Sequence, residues 1–367
     1  MTLYPNLIKD ALSKVTYAGT KKNLIESEML ADDIRIDGMK VEFTLIFPRE
    51  TDPFLKSTIK AAEAAIHFHI SKEVEVTIKT EFKSEPRPEV GKMLPNVKNI
   101  IAVSSGKGGV GKSTISVNLA ISLARLGYKV GLLDTDIFGP SIPKMFGVED
   151  SRPYAVDKDG RELIEPIEKY GVKLLSIGFF VNPDTATLWR GGMATSALKQ
   201  LIADADWGEL DYFILDTPPG TSDIHLSLLQ TLAITGAVIV TTPQAVALAD
   251  ARKGIDMYRN DKINVPILGL VENMAWFTPA ELPENKYYIF GKDGGKQLAA
   301  EMNCPLLAQI PLVQSIREHG DNGVPSAADI ETLTGQAFLG LAQAVVTVTN
   351  RRNEEQDPTK IVEVQHK

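Results

Sequence analysis

The sequence predicts an α/β fold: a mainly parallel sheet covered by helices on both faces, preceded by a small α+β domain. Three observations lead there. Seven short apolar runs, at 100–103, 130–133, 172–175, 212–215, 237–240, 267–271 and 306–310, alternate with helical stretches at 113–126, 194–203, 224–234, 246–260, 294–302 and 333–348. Continuous apolar strands between helices read as a parallel sheet buried on both faces. A glycine-rich stretch, 106–113, joins the first run to the first helix. Upstream of position 83 the periodicity is different, and a segment with three prolines and six charges, KSEPRPEVGKMLPNVK, separates the two patterns.

The upstream pattern predicts an αββαβ module. Residues 4–20 carry Leu7, Ile8, Leu12 and Val15 at helical spacing. Strand-like runs follow at 24–35 and at 40–47, where Val41, Phe43, Leu45 and Phe47 share one face. A helix over 53–68 and a strand over 73–82 complete the unit. The expected organisation is a small domain over 1–83, a linker over 84–98, the α/β domain over 99–350 and a polar, frayed tail over 351–367.

Composition removes several classes of function. The chain has 367 residues, one cysteine and a net charge of −8. A lone Cys304 excludes a disulfide scaffold, and with five histidines it argues against a cysteine zinc site. The acidic balance disfavours a nucleic-acid coat. The most apolar stretch, 232–240, is too short for a transmembrane helix, and the start of the chain lacks a signal-peptide pattern. The expectation is a soluble, cytoplasmic protein with no nucleic acid and no membrane among its partners.

The stretch Gly106-Lys107-Gly108-Gly109-Val110-Gly111-Lys112-Ser113 fits G-x-x-x-x-G-K-[ST]. The glycines let successive backbone N–H groups turn toward one anion, and the following helix adds its positive N-terminal end. Lys112 suits the β and γ phosphates of ATP, the Ser113 hydroxyl suits Mg²⁺, and Thr114 follows within reach of the α-phosphate. Two carboxylate clusters end strands of the same sheet: Asp134-Thr135-Asp136, and Asp216 in 216-DTPPG-220. Open α/β sheets bind ligands at those strand ends. One carboxylate there can hold Mg²⁺ and another can orient the attacking water. Asp134, nearest its strand, suits either catalysis or support of the loop. Gly220, after two prolines, reads as a hinge whose N–H is placed to sense the γ-phosphate.

Lys107 is not required by an ordinary phosphate loop. GKGGVGKS resembles the deviant loop of the P-loop NTPase class that contains MinD, ParA and the nitrogenase iron protein. The chain resembles in particular the Mrp/ApbC iron–sulfur cluster carrier ATPases, through SSGKGGVGKST, LLDTDIFGPSIPKMFG, WRGGM (189–193), DYFILDTPPGTSDIHLSLLQ, VENMAWF, YIFGKDGGKQLA and IPLVQSIREHGDNGVP. Residues 1–83 resemble a MIP18-type domain by pattern and size. The resemblance implies a homodimer that hydrolyses ATP and passes a bridging [4Fe–4S] cluster to apoprotein clients. It implies that Lys107 reaches the partner's nucleotide, that Asp136 orients water, that Asp216 partners Mg²⁺ and that Asn273 of the ENM motif reads adenine.

The sequence departs from the family at one place. The family holds its cluster on a C-x-x-C pair from each subunit, between the ENM and YIFG motifs. Here that stretch reads AWFTPAELPENKY, with Pro279 and Leu282 about where the pair would fall. Neither ligates iron, and the iron–sulfur ligands are unknown. Cys304, before a buried strand, suits packing better than ligation. The small domain also lacks a cysteine at Thr51-Asp52-Pro53, where relatives often have one.

Weaker candidates are His67 and His69, which share a face only in extended chain, Trp189 and Trp276 as core or interface residues, and Arg190 beside a dimer seam. Two other functions compete with the cluster carrier. One is a MinD- or ParA-like positioning ATPase, which needs a basic amphipathic helix or a DNA-binding surface. The other is an ATP-dependent adaptor without its own cluster.

Overall fold

In a computed structural model, residues 3–17, 22–47, 54–82, 93–137, 139–158, 160–180, 191–279, 281–282 and 284–362 are described. The chain divides into two compact units, Met1–Arg87 and Pro88–Lys367. Thr51 to Pro53, most of the linker, Trp189 and Arg190 lie outside the described residues.

The first unit contains α1 (Pro5–Leu12), β1 (Arg35–Asp37), β2 (Lys40–Phe47), α2 (Leu55–His69) and β3 (Glu75–Phe82). β1 and β2 pair antiparallel, and β2 pairs parallel with β3. A parallel pair needs a crossover, which α2 supplies. Val41, Phe43, Leu45 and Phe47 of β2 pack with Ile8, Leu12, Ala62 and Ile66 in one core. Two expectations fail here. The first helix stops at Leu12, and Thr16 bridges Asn23 instead. Residues 24–28 are turn and most of 29–34 is irregular rather than strand, the Asn23 side chain accepting from the N–H groups of Ile25 and Glu26 at 3.0 and 2.8 Å. Such Asx turns offer the backbone an alternative to a ladder. His67 is bound locally, its Nε2 lying 3.0 Å from the Val74 carbonyl.

The second unit runs β4 (Val97–Ser105), α3 (Lys112–Arg125), β5 (Val130–Asp134), α4 (Ile142–Phe146), β6 (Ala155–Lys158), β7 (Arg161–Ile164), β8 (Ile167–Lys169) and β9 (Val172–Ser176). It continues with α5 (Gly191–Ala203), β10 (Leu210–Asp216), α6 (Asp223–Leu229), β11 (Gly236–Thr241), α7 (Ala245–Arg259), β12 (Ile267–Phe277), α8 (Gly294–Glu301), β13 (Leu306–Leu312), α9 (Gln314–Asp321) and α10 (Leu333–Glu355). The sheet order is β13-β12-β11-β4-β10-β5-β9-β8, parallel except for the edge strand β8. All seven apolar runs became its parallel strands. Their buried Val, Ile, Leu and Phe side chains form one continuous core, each worth about 1.5–3 kcal/mol. Among the described residues no helix is long and apolar enough to cross a membrane.

Strand order reverses around β4: the chain first builds outward through β5 and β9, returns by β10, then crosses to β11. That reversal opens a crevice at the carboxyl ends of β4 and its neighbours. The polar tail expected at 351–367 is corrected up to residue 362. α10 continues to Glu355, and Arg352 is buried. Its Nη2 donates to the Asp357 carbonyl at 2.6 Å and to Thr359 Oγ1 at 2.8 Å, and the Val362 N–H reaches the Leu229 carbonyl at 3.0 Å. The guanidinium folds the chain back onto the body rather than solvating it.

Candidate active site at the phosphate loop

The β4–α3 connection is held from two sides. At Gly106 a Cβ would lie 2.1 Å from the Asp250 carbonyl carbon, so α7 packs directly on the loop's first residue. Gly109 and Gly111 have φ of +81° and +86°, where an L side chain is strained. A Cβ on Gly111 would also meet Asn273 Nδ2 at 2.2 Å. That amide donates to the Val110 carbonyl at 2.8 Å. α3 has no acidic residue in its first turn, so its N-terminal amides face the loop without an internal anion.

Lys112, Ser113 and Asp216 meet in one cluster. Lys112 Nζ lies 2.8 Å from Asp216 Oδ1, both side chains being buried. Ser113 Oγ donates to Asp216 Oδ2 at 2.7 Å, and Ser116 Oγ to Oδ1 at 2.6 Å. Ser116, one turn after Lys112, escaped sequence reasoning although its helical spacing from Lys112 and Ser113 was a usable signal. The hydroxyl and carboxylate are hard oxygen donors, the set Mg²⁺ prefers beside phosphate oxygens.

Asp134 is fully buried next to that cluster. It accepts from the Asp136 N–H at 3.1 Å and from Ser176 Oγ at 3.0 Å. Burial, and then the Asp216 charge, push its carboxyl up to about 8 against the pull of Lys112. This geometry is that of a support for the loop bearing Asp136, which is half-buried. Thr135 ties the two carboxylate loops together, its N–H and Oγ1 donating to the Asp216 carbonyl at 3.0 and 2.8 Å. After Asp216 the chain lies along the end of β4: Thr217 N–H reaches the Val103 carbonyl at 3.1 Å, and Gly220 N–H the Ser105 carbonyl at 2.8 Å. In this conformation the Gly220 N–H is therefore held by the backbone. Lys107 is half-buried at the loop's opening, and its carbonyl accepts from Ser105 Oγ at 2.9 Å.

A cavity of about 270 Å³ adjoins the loop, lined by Gly111, Thr114, Asn273, Met274, Leu312 and Arg317 among others. Met274 has a φ of +54°, and the β12–β13 register shifts between Asn273 and Phe277. Bulges of this kind re-aim side chains next to functional sites. The irregularity places Asn273 between the loop and the cavity.

The end of β12 has different chemistry. Phe277 and Tyr287 exchange backbone hydrogen bonds of 2.8 Å, and Lys286 Nζ sits 4.0 Å over the Trp276 ring. Leu282, Tyr287 and Ile289 are exposed. Cys304 is half-buried against the core, and burial raises its thiol pKa despite Arg259 nearby. A protonated, packed thiol is a poor metal ligand. The donor set here does not fit a [4Fe–4S] cluster. Among the described residues no group of three or more His, Cys, Asp or Glu is placed to hold a metal.

Residues 96–346 match the family model described as ParA, the NUBPL iron-transfer P-loop NTPase. An iron–sulfur cluster carrier protein from Synechocystis is 43% identical over 331 residues, 89% of this chain and 92% of that protein. An Arabidopsis protein described as a mitochondrial iron–sulfur protein required for NADH dehydrogenase is 47% identical over 266 residues, 72% of this chain and 83% of its own length. A nucleotide-binding protein from Archaeoglobus fulgidus, solved with ADP, aligns with a TM-score of 0.56 at 34% identity, over 65% of this chain and 91% of that one.

Proposed function

The chain belongs to the family of ParA-type, NUBPL iron-transfer P-loop NTPases, and from that membership we propose an ATP-driven assembly factor for iron–sulfur proteins that holds no cluster on its own thiols. It is an ATPase, as its family is. The rest of this reading concerns how the site works and what it serves.

Lys112 binds the β and γ phosphates, with the backbone amides of 106–113 around them. Lys112 is paired with Asp216. Phosphate oxygens take its place, so nucleotide entry exchanges one buried ion pair for another. Ser113 and Asp216 would hold Mg²⁺, which would supply positive charge to the phosphate oxygens. Asp136 orients the attacking water, and Asp134 holds the Asp136 backbone. Asn273, with the adjoining cavity, receives the adenine: its carboxamide offers the donor and the acceptor that N7 and the N6 amine require. Lys107 reaches the nucleotide of a second copy, which makes the active unit a homodimer. The segment 217–223 closes and relaxes with the nucleotide state. The small unit serves as a MIP18-like module, and the protein works in the cytoplasm.

The observation that carries the adaptor reading is the cysteine count. One cysteine per chain, Cys304, supplies two thiolates to a dimer, where a cluster needs four. The protein then recruits carriers or clients under ATP control instead of carrying the cluster itself. Anaerobic iron–sulfur reconstitution with absorbance and iron counting tests this, on wild type and on Cys304→Ala. Neither should retain iron near one cluster per dimer. A stable cluster in the wild type that disappears in the variant would overturn the adaptor reading.

A further inference from the structure

His225 occupies the third position of α6 and is buried, 2% exposed. It lies just beyond the segment 217–223. Its Nδ1 is 3.2 Å from the Ser222 N–H, which closes the N-terminus of the helix as a capping box does. Its Nε2 is 3.4 Å from Ser104 Oγ, on the central strand β4. A backbone N–H only donates, so Nδ1 is the acceptor and Nε2 carries the proton. Ser104 is then also hydrogen-bonded to the hydroxyl of the buried Tyr258 on α7. The ring links α6 to β4 directly, and Ser104 carries the link on to α7. Two of these elements, β4 and α7, are those that fix Gly106 at the start of the phosphate loop.

We propose that His225 is a positioning residue for ATP hydrolysis, a neutral imidazole strut that ties the segment 217–222 to the strand carrying the phosphate loop. Burial, and then the Lys112 charge, push its pKa down to about 4, so the ring stays uncharged and keeps this tautomer near neutral pH. Ser222 marks the boundary at which the moving segment meets a fixed helix. The Ser104 hydroxyl requires a donor and the Ser222 N–H an acceptor, and neither a protonated ring nor a side chain that reaches only one of them supplies both. Asn at 225 retains an acceptor near Ser222 and loses Ser104. Ser104→Ala cuts the same link from the strand side with a change of one oxygen atom.

The proposal rests on the nucleotide-switch reading above, and hydrogen exchange separates the two. The full chain is compared with His225→Asn, Ser104→Ala and the double variant. ATPase kinetics are measured together with exchange over 217–223 in the presence of a non-hydrolysed ATP analogue. In wild type the analogue should protect 217–223; no protection there would sink the switch reading itself. With that protection present, each single variant should exchange faster over 217–223 and lose about three- to tenfold in kcat, with KM for ATP within about twofold. The double variant should be no worse than either single one, since one link is cut twice. Wild-type kcat and exchange in both single variants would overturn the strut. So would losses that multiply in the double variant or follow a general fall in melting temperature. If His225→Asn does not fold, Ser104→Ala decides alone by the same criteria.

Discussion

Two regions lie at the same, carboxyl-terminal edge of the sheet and differ in almost every respect. Around β4, β5 and β10 the buried charged groups are mutually satisfied: Lys112, Ser113 and Ser116 converge on Asp216, and Ser176 and the Asp136 amide converge on Asp134. At the end of β12 the chain closes with Phe277 paired to Tyr287, Lys286 over Trp276, and exposed Leu282 and Ile289. The first region is built for phosphate and hard cations, whereas the second offers no soft ligand. The difference teaches that the polar groups of the phosphate loop are assembled on β4, β5 and β10 independently of any thiol at the end of β12.

The strongest way to break the comparison is at its charged end. Lys112→Ala should abolish ATP binding in a titration and leave the buried Asp216 carboxylate without its cation. Chemical denaturation should report a loss of about 3–5 kcal/mol, the usual cost of orphaning a buried charge. The reverse operation belongs at the other end. Pro279→Cys with Leu282→Cys supplies the C-x-x-C spacing and should give more iron uptake on anaerobic reconstitution than the wild type; no increase would mean that the missing thiols alone do not account for the absence of a cluster.

Asp136→Asn should lower kcat by about 10²–10³-fold with little change in ATP affinity, as for loss of a water-orienting group. Lys107→Ala should also spare binding and slow turnover, by at least about tenfold. If its turnover equals wild type at saturating protein, the lysine does not act across a dimer. A further effect is on stability against pH. His225 has a folded pKa near 4, below its value of 6.5 in open chain, so the unfolded state binds more protons between those values. Its contribution is full above pH 6.5 and lost as pH falls to 4, about 3 kcal/mol over the window. The stability of His225→Gln should therefore fall less steeply than that of wild type between pH 6.5 and 4.

Much of this was legible in the sequence because the information was local. Seven parallel strands announced themselves as apolar runs, and the phosphate loop with its two carboxylate-bearing strand ends followed from spacing. What escaped was either polar or distant. The hairpin of β6 and β7 and the edge strand β8 are short, charged and largely exposed, so no apolar run marks them. Arg352 looked like tail, since nothing in its neighbours predicts that its partners are the Asp357 carbonyl and Thr359. The segment 24–35 has strand composition, but an Asn side chain holds its first residues in a turn. His225 and Ser104 stand far apart in the chain and meet only when the sheet forms, although the spacing of Ser222 and His225 resembles a helix cap.

The pair between Lys112 and Asp216 has one more consequence. A protein whose binding lysine is already matched by an internal carboxylate carries its own competitor for that lysine. A nucleotide that reaches Lys112 has to displace this resident carboxylate, which, being buried, needs another partner in exchange.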